Sequence, residues 1–214
     1  MKTVICILCL LATVAAGAQQ VAPTRVTDVL TAPGLPTTPV PGWTLLATDS
    51  PTTLSPSAVT RRGPGVQIHA STPLALFRPG FRLVGDGSVS AVFIVPDTAP
   101  AQYGLTLGSA KVFVVHADGA AGIGSLQSGV ATDVIWRAPL VPLTAAPGTQ
   151  QRIEVRVHGT VADLIVNGAV QATTAITASA LDGVPGVYVD SGDIVVAGFS
   201  VRTAQRIAPG GGGQ

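Results

Sequence analysis

The sequence predicts an all-β fold, an antiparallel sandwich, and three observations carry that prediction. From Gly42 onward, short apolar runs are broken by Gly, Pro, Asp and Ser roughly every eight to twelve residues, the spacing of sandwiches and barrels. No stretch of the same region shows a sustained helical period. Residues 151–173 read directly as three strands joined by two tight turns. There Ile153, Val155 and Val157 alternate with Arg152, Glu154, Arg156 and His158, the pattern of a strand with one buried face. Gly159-Thr160 suits a type II′ turn and Asn167-Gly168 a type I′ turn. A two-residue turn fixes the register: His158 faces Val161, Val155 meets Leu164, Ile153 meets Val166, and Arg156 meets Asp163 on the opposite face as an expected ion pair.

The remaining segments follow in chain order. Residues 1–18 have the form of a secretory signal: Lys2, an apolar run from Val4 to Ala16, and Ala16-Gly17-Ala18 as a small-residue cleavage site. The expectation is a secreted protein, extracellular or periplasmic. The apolar run is shorter than the roughly twenty residues of a membrane span, so no stable membrane anchor is expected. Both cysteines, Cys6 and Cys9, fall inside that signal. Removing it also removes Lys2 and leaves 11 Lys and Arg against 11 Asp and Glu. A balanced charge with dispersed arginines argues against nucleic acid as a partner.

Residues 19–41 carry Pro23, Pro33, Pro36, Pro39 and Pro41 and read as a Pro/Thr-rich linker. Residues 42–203 read as the sandwich, with strands over 43–47, 66–70, 81–84, 88–95, 103–107, 111–116 and 132–137 ahead of the central hairpins. Strands 186–189 and 194–202 close it. In the last of these, strict alternation places Val195, Ala197, Phe199 and Val201 on one face, with Phe199 in the core. Residues 204–214 end in a Gly-rich run and read as a flexible tail.

Several pieces in this order resemble a known family. They are Tyr103-Gly104-Leu105, the strand 112–115 leading to Asp118-Gly119, Trp136 before a loop, the strand 152–157 and Val166-Asn167-Gly168. Gly183-Val184-Pro185-Gly186-Val187-Tyr188 and Phe199-Ser200-Val201 complete the set. Together they resemble the concanavalin A-like jelly roll of laminin-G-type, lectin-type and glucanase-type domains. The nearest likeness is to secreted bacterial domains of the 3-keto-disaccharide hydrolase or family-16-glucanase-like type. These are turn and core residues, so they speak for the fold more than for an activity.

The catalytic chemistry of that resemblance finds no residues here. Glucanases of the superfamily carry a Glu-x-Asp-x-x-Glu strand, because a retaining glycosidase needs two carboxylates about 5 Å apart. Glu154 is the only glutamate, and Arg156 and Gly159 stand at the required spacings. No catalytic residue is assigned. Asp190 and Asp193 offer two carboxylates to calcium, but a β-turn explains them with less, and two ligands leave most of calcium's six to eight positions unfilled. His69, His116 and His158 lack the spacing of a transition-metal site, and the Gly-rich stretch 118–124 lacks the parts of a phosphate-binding loop.

Sugars are held by aromatic faces flanked by hydrogen-bonding groups. Trp43 falls next to the linker, which leaves Trp136 as the best candidate, with Gln102, Tyr103, His116 and Arg137 as the groups able to line one polar patch with it. The function expected is therefore a non-catalytic module that binds a carbohydrate or another surface partner. The alternatives are a glycoside-processing enzyme of the 3-keto-disaccharide hydrolase type and a structural module with no small ligand.

Overall fold

A computed structural model describes residues 24–28, 44–47, 59–62, 65–77, 81–95, 101–108, 110–138, 147–177 and 184–206. The signal, Trp43, the tail beyond Arg206 and all of the linker but its residues 24–28 lie outside them. The described residues contain no helix and form fifteen antiparallel strands. These are β1 (Thr24–Asp28), β2 (Thr44–Ala47), β3 (Val59–Arg62), β4 (Gly65–Ala70), β5 (Leu74–Phe77), β6 (Phe81–Ile94), β7 (Gln102–Leu107) and β8 (Lys111–His116). Then come β9 (Ala121–Gln127), β10 (Val130–Arg137), β11 (Gln150–His158), β12 (Val161–Val166), β13 (Ala169–Ala175), β14 (Gly186–Val189) and β15 (Gly192–Arg206). They build an eight-stranded sheet in the order β13-β12-β11-β6-β15-β4-β3, with β1 also on β15, and a seven-stranded sheet in the order β10-β9-β8-β7-β14-β5-β2.

The central hairpins take the register their turns dictate. Ile153 faces Val166, Val155 faces Leu164, Arg156 faces Asp163 and His158 faces Val161. Gly159 has φ 58°, and Asn167 and Gly168 have φ 50° and 87°, the left-handed values that II′ and I′ turns demand at these positions. The inward residues of β6, β7, β8, β11, β12 and β15 form one continuous core that includes Phe93, Leu105, Phe113, Ile153, Leu164 and Phe199. One polar pair crosses it. The Tyr103 hydroxyl on β7 donates to Gln151 Oε1 on β11, tying the two sheets together, and the Phe93 ring tilts against Tyr103 at 5.3 Å between centroids.

Four local expectations are corrected. Thr24–Asp28, inside the stretch read as a linker, pairs with β15. Residues 81–84 and 88–95 are one strand: Gly85 at φ 62° bends β6 without reversing it, and the Asp86 carboxylate accepts the Gly159 N–H at 2.7 Å. A Gly-Asp-Gly run that resembles a hairpin turn therefore serves as a bend. In β15 the register shifts between Val196 and Gly198, so Ile194 and Val196 face the core together with Phe199 and Val201, while Val195 lies on the other face. A bulge breaks strict alternation because it inserts one unpaired residue. Strand β9 occupies residues that the sequence reading assigned to no strand, because its outward positions Gly122 and Gly124 carry no side chain to show a period.

Candidate functional site

The outer face of the seven-stranded sheet is closed by its own curl. Along β8, Phe113 and Val115 point inward, while Val112, Val114 and His116 point outward. Val112, Val114, Leu126, Tyr188, Ala75 and Phe77 form a second apolar cluster on that outer face, with Ala131 and Val134 of β10 folded against it. The Ala131 N–H donates to the Tyr188 hydroxyl at 3.2 Å, although four strand-to-strand steps separate β10 from β14. The outer face is therefore a trough whose floor is already filled, and its open part lies at the end marked by His116.

Glycines make this trough possible at one place in particular. A Cβ on Gly122 would stand 2.6 Å from Val134 Cγ1 and 2.7 Å from Trp136 Cε3. The bare Gly122 backbone is thus the seat of the indole. Strand β10 reaches that seat through a bulge, where the pairing steps from Thr132–Ser125 to Ile135–Ile123 and Asp133 adopts φ 52°. The bulge turns Val134 and Trp136 outward together and sends Ile135, 68% exposed, to the edge of the sandwich.

At this end the outward side chains are Trp136, His116, Gln102 and Asp190, with Asp118 on the β8–β9 turn. Trp136 keeps 38% of its surface exposed and meets the His116 ring edge-on, with centroids 5.4 Å apart and planes at 73°. His116 and Gln102 are direct cross-strand partners. Gln102 in turn accepts the Asp190 N–H at its backbone carbonyl, 2.9 Å away. His116 Nδ1 lies 2.8 Å from Asp118 Oδ1. With the imidazole neutral, that geometry puts its proton on Nδ1 and leaves Nε2 as an acceptor. The Ala120 N–H, at 2.9 Å, and then His116 hold the Asp118 carboxyl below the usual carboxylate range. Gln102 Oε1 is buried and has no hydrogen-bond partner.

The structure brings together three of the five residues expected to line one patch. Gln102, His116 and Trp136 converge. Tyr103 does not: it is one position from Gln102 on the same strand and so faces the core, where burial pushes its hydroxyl up to about 12. Arg137 also departs, for the same reason of alternation. It lies beside Trp136 but on the other side of β10, lining a cleft of about 560 Å³ with Val170 and Thr173 of β13 at the sandwich edge. Asp118 and Tyr188 were missed as neighbours of the patch. The signal for Asp118 is its place two residues past His116, where the turn after β8 brings its carboxylate back to the imidazole.

The other candidates have structural partners. Asp190 accepts from the Tyr188 hydroxyl at 3.4 Å, whereas Asp193 contacts His69 Nδ1 at 2.5 Å and accepts from Gln67 Nε2 at 3.1 Å on the opposite sheet. The two carboxylates weighed for calcium thus diverge. The three histidines lie on separate strands, β4, β8 and β11, and no group of three or more metal-ligating side chains occurs among the described residues. Glu154 is held by Arg152 at 3.3 Å and Arg156 at 3.4 Å. Arg156 therefore turns along its own strand instead of pairing with Asp163, which accepts from the Thr173 hydroxyl at 2.7 Å and lies 3.7 Å from His158.

No protein-family model matches the chain, and no curated protein matches it. Solved structures do. A native glycosidic hydrolase superposes with a TM-score of 0.55 at 9% identity, over 86% of this chain and 98% of its own. The metal-free carbohydrate recognition domain of Emp46p gives 0.54 at 9% identity, over 81% and 94%. The Bacteroides ovatus xyloglucan PUL GH43B protein gives 0.54 at 10% identity, over 85% of this chain and 39% of that one. These likenesses and the two antiparallel sheets show the fold the sequence resembled, the concanavalin A-like jelly roll.

Proposed function

We propose that this is an exported, non-catalytic domain that binds a carbohydrate at the Trp136 end of the seven-stranded sheet. The observation that carries the reading is the half-exposed indole seated on Gly122 and braced by His116, with the Gln102 amide across the strand from that imidazole. An aromatic face with a hydrogen-bonding rim suits the apolar face and hydroxyl edge of a sugar ring. The names of the structural neighbours, a glycosidic hydrolase and a carbohydrate recognition domain, support the same ligand class. A glycan array probed with the full chain, with and without calcium, tests it. Binding is expected, and Trp136→Ala should weaken it at least about tenfold while the unfolding midpoint holds. An array without signal, or binding unchanged in Trp136→Ala, overturns the assignment.

One observation favours a second reading as a glycoside-processing enzyme. The His116–Asp118 pair at 2.8 Å is an imidazole oriented by a carboxylate, an arrangement that serves general-base chemistry. Turnover of an oxidised disaccharide that disappears in His116→Ala would establish it over the binding module.

A further inference from the structure

Strands β10 and β13 end their respective sheets, and the opening between these two edges is a cleft separate from the Trp136 site. It has two lobes, which meet at Arg137 and Thr173. The larger, about 560 Å³, is walled by Val170 and Ala172, and the smaller, about 270 Å³, by Lys111, Ile123, Ser125 and Ile135. The larger lobe alone falls in the range of small-molecule sites, roughly 300–1,000 Å³. Alternation explains the lining: Lys111 shares the inward side of β8 with Phe113 and Val115, and Ile135 and Arg137 stand opposite the inward Ile123 and Ala121. Two of the three large apolar side chains left exposed among the described residues, Ile135 and Val170, line this cleft. Among the described residues neither Lys111 nor Arg137 forms an ion pair, and Asp133, which lines the smaller lobe with them, pairs with neither. The cleft therefore joins aliphatic walls to two uncompensated cations and one carboxylate.

We propose that this cleft binds a free aliphatic carboxylate of the fatty-acid class, its head at Lys111 and Arg137 and its chain along the Ile135 and Val170 walls. The inference stands apart from the carbohydrate reading and does not need it. No aromatic ring lines either lobe, so the face that stacks a sugar is missing. The hydroxyl protons of Thr173 and Thr174 go to Asp163 and to the Ala175 carbonyl, and the Gln171 amide donates to the Ala169 carbonyl. Lys111 and Arg137 are the charged donors left for a ligand, and an ammonium and a guanidinium both donate to a carboxylate. The aliphatic walls in turn take methylenes out of water. Asp133 opposes an anionic head by like charge, which makes it a gauge of where that head sits. A lipid headgroup in a bilayer offers the same charge, but two cations beside one carboxylate fall short of the cluster of roughly four to eight that marks an anionic membrane surface.

Calorimetry on the full chain with sodium decanoate below its micelle concentration tests this, with 1-decanol and decyltrimethylammonium as probes that keep the chain and change the head. Decanoate should bind more tightly than either, and added salt should narrow its lead over decanol. Across octanoate, decanoate and dodecanoate the affinity should rise about two- to fourfold per methylene, and Ile135→Ser should flatten that rise. Lys111→Gln and Arg137→Gln should each weaken decanoate about three- to fivefold, and Asp133→Asn should tighten it about twofold. Arg202→Gln on the other sheet should change nothing, and an unfolding midpoint that holds shows each variant to be folded. The proposal falls if decanol binds as tightly as decanoate, or if the variant that lacks both Lys111 and Arg137 binds decanoate unchanged. It falls equally if no chain length binds, or if the protein sediments with phosphatidylglycerol vesicles yet ignores decanoate.

Discussion

Phe199 is 2% exposed and belongs to the main core, so truncation there removes a whole ring from between two sheets that cannot close the gap. Phe199→Ala should cost about 3–5 kcal/mol in a denaturant titration. Leu164, fully buried on β12, should cost about 2–5 kcal/mol as Leu164→Ala. Asp163 sits directly behind it in sequence but faces outward to Thr173 and His158, so Asp163→Ala should cost no more than about 1 kcal/mol. A large loss of stability in Asp163→Ala would show that the outer face of β12 supports more than register. At this scale the sequence was a good guide wherever a turn fixed the register, as at Gly159-Thr160. It was a poor one where two side chains compete for one partner: Arg156 faces Asp163 by register, yet Glu154, two residues away on the same strand, takes its guanidinium. A pairing table gives neighbours across a sheet and says nothing of the direction a long side chain takes.

Strand β10 shows what a single inserted residue does to a site. Without the bulge at Asp133, alternation would send Ile135 outward and leave Trp136 facing the sandwich edge, so the indole would not lie on Gly122. Gly122→Ala should therefore be informative out of proportion to its size. The added methyl meets Val134 and the Trp136 ring, and overpacking of this kind costs about 1–3 kcal/mol. It should also shift tryptophan fluorescence and weaken the carbohydrate binding proposed above, with the His116–Asp118 pair intact. An unchanged emission spectrum would mean the ring is not seated as described. The candidate patch was legible in part because Gln102 and His116 fall at outward positions of strands the sequence marks clearly. The bulges in β10 and β15 were not read from the sequence, although Asp133, the one charged residue between Val130 and Trp136, is of a type that tolerates positive φ. Tyr103 was assigned to the patch because its hydroxyl looked like a ligand group, whereas the core supplies that hydroxyl with Gln151.

Across the whole molecule, both tyrosines of the chain are buried, and burial is the first cause that pushes each hydroxyl up to about 12. For Tyr188 the Ala131 N–H works against that rise and Asp190 adds to it. A folded value raised above the unfolded value near 10 means that the unfolded chain gives up its protons first. The stabilisation is complete below about pH 10 and is lost as the pH climbs toward about 12. An ultraviolet phenolate titration should therefore show no step near pH 10, then a steep rise coincident with loss of structure by circular dichroism. A separate step near pH 10 would place at least one tyrosine in solvent. On the outer face of the larger sheet Arg152, Arg156 and Arg202 stand among Glu154, Asp163 and Asp193, whereas the trough of the smaller holds Asp118 and Asp190.

Strand β15 is gripped by β6 along one side and by β4 and then β1 along the other, and β1 lies antiparallel to it with Thr24 opposite Ala204. Residues 24 and 206 thus leave the sandwich side by side. Tension applied between them does not shear a row of hydrogen bonds in parallel; it opens the β1–β15 ladder from one end, a bond at a time, like a zipper. In an optical trap, handles at these two positions should give a small early lengthening as β1 peels away, before the main sandwich yields. Handles placed at residues 127 and 158, which grip different sheets, should show no such early event. As a link in a chain under load, the domain would pay out β1 as slack before the face that carries Trp136 was disturbed.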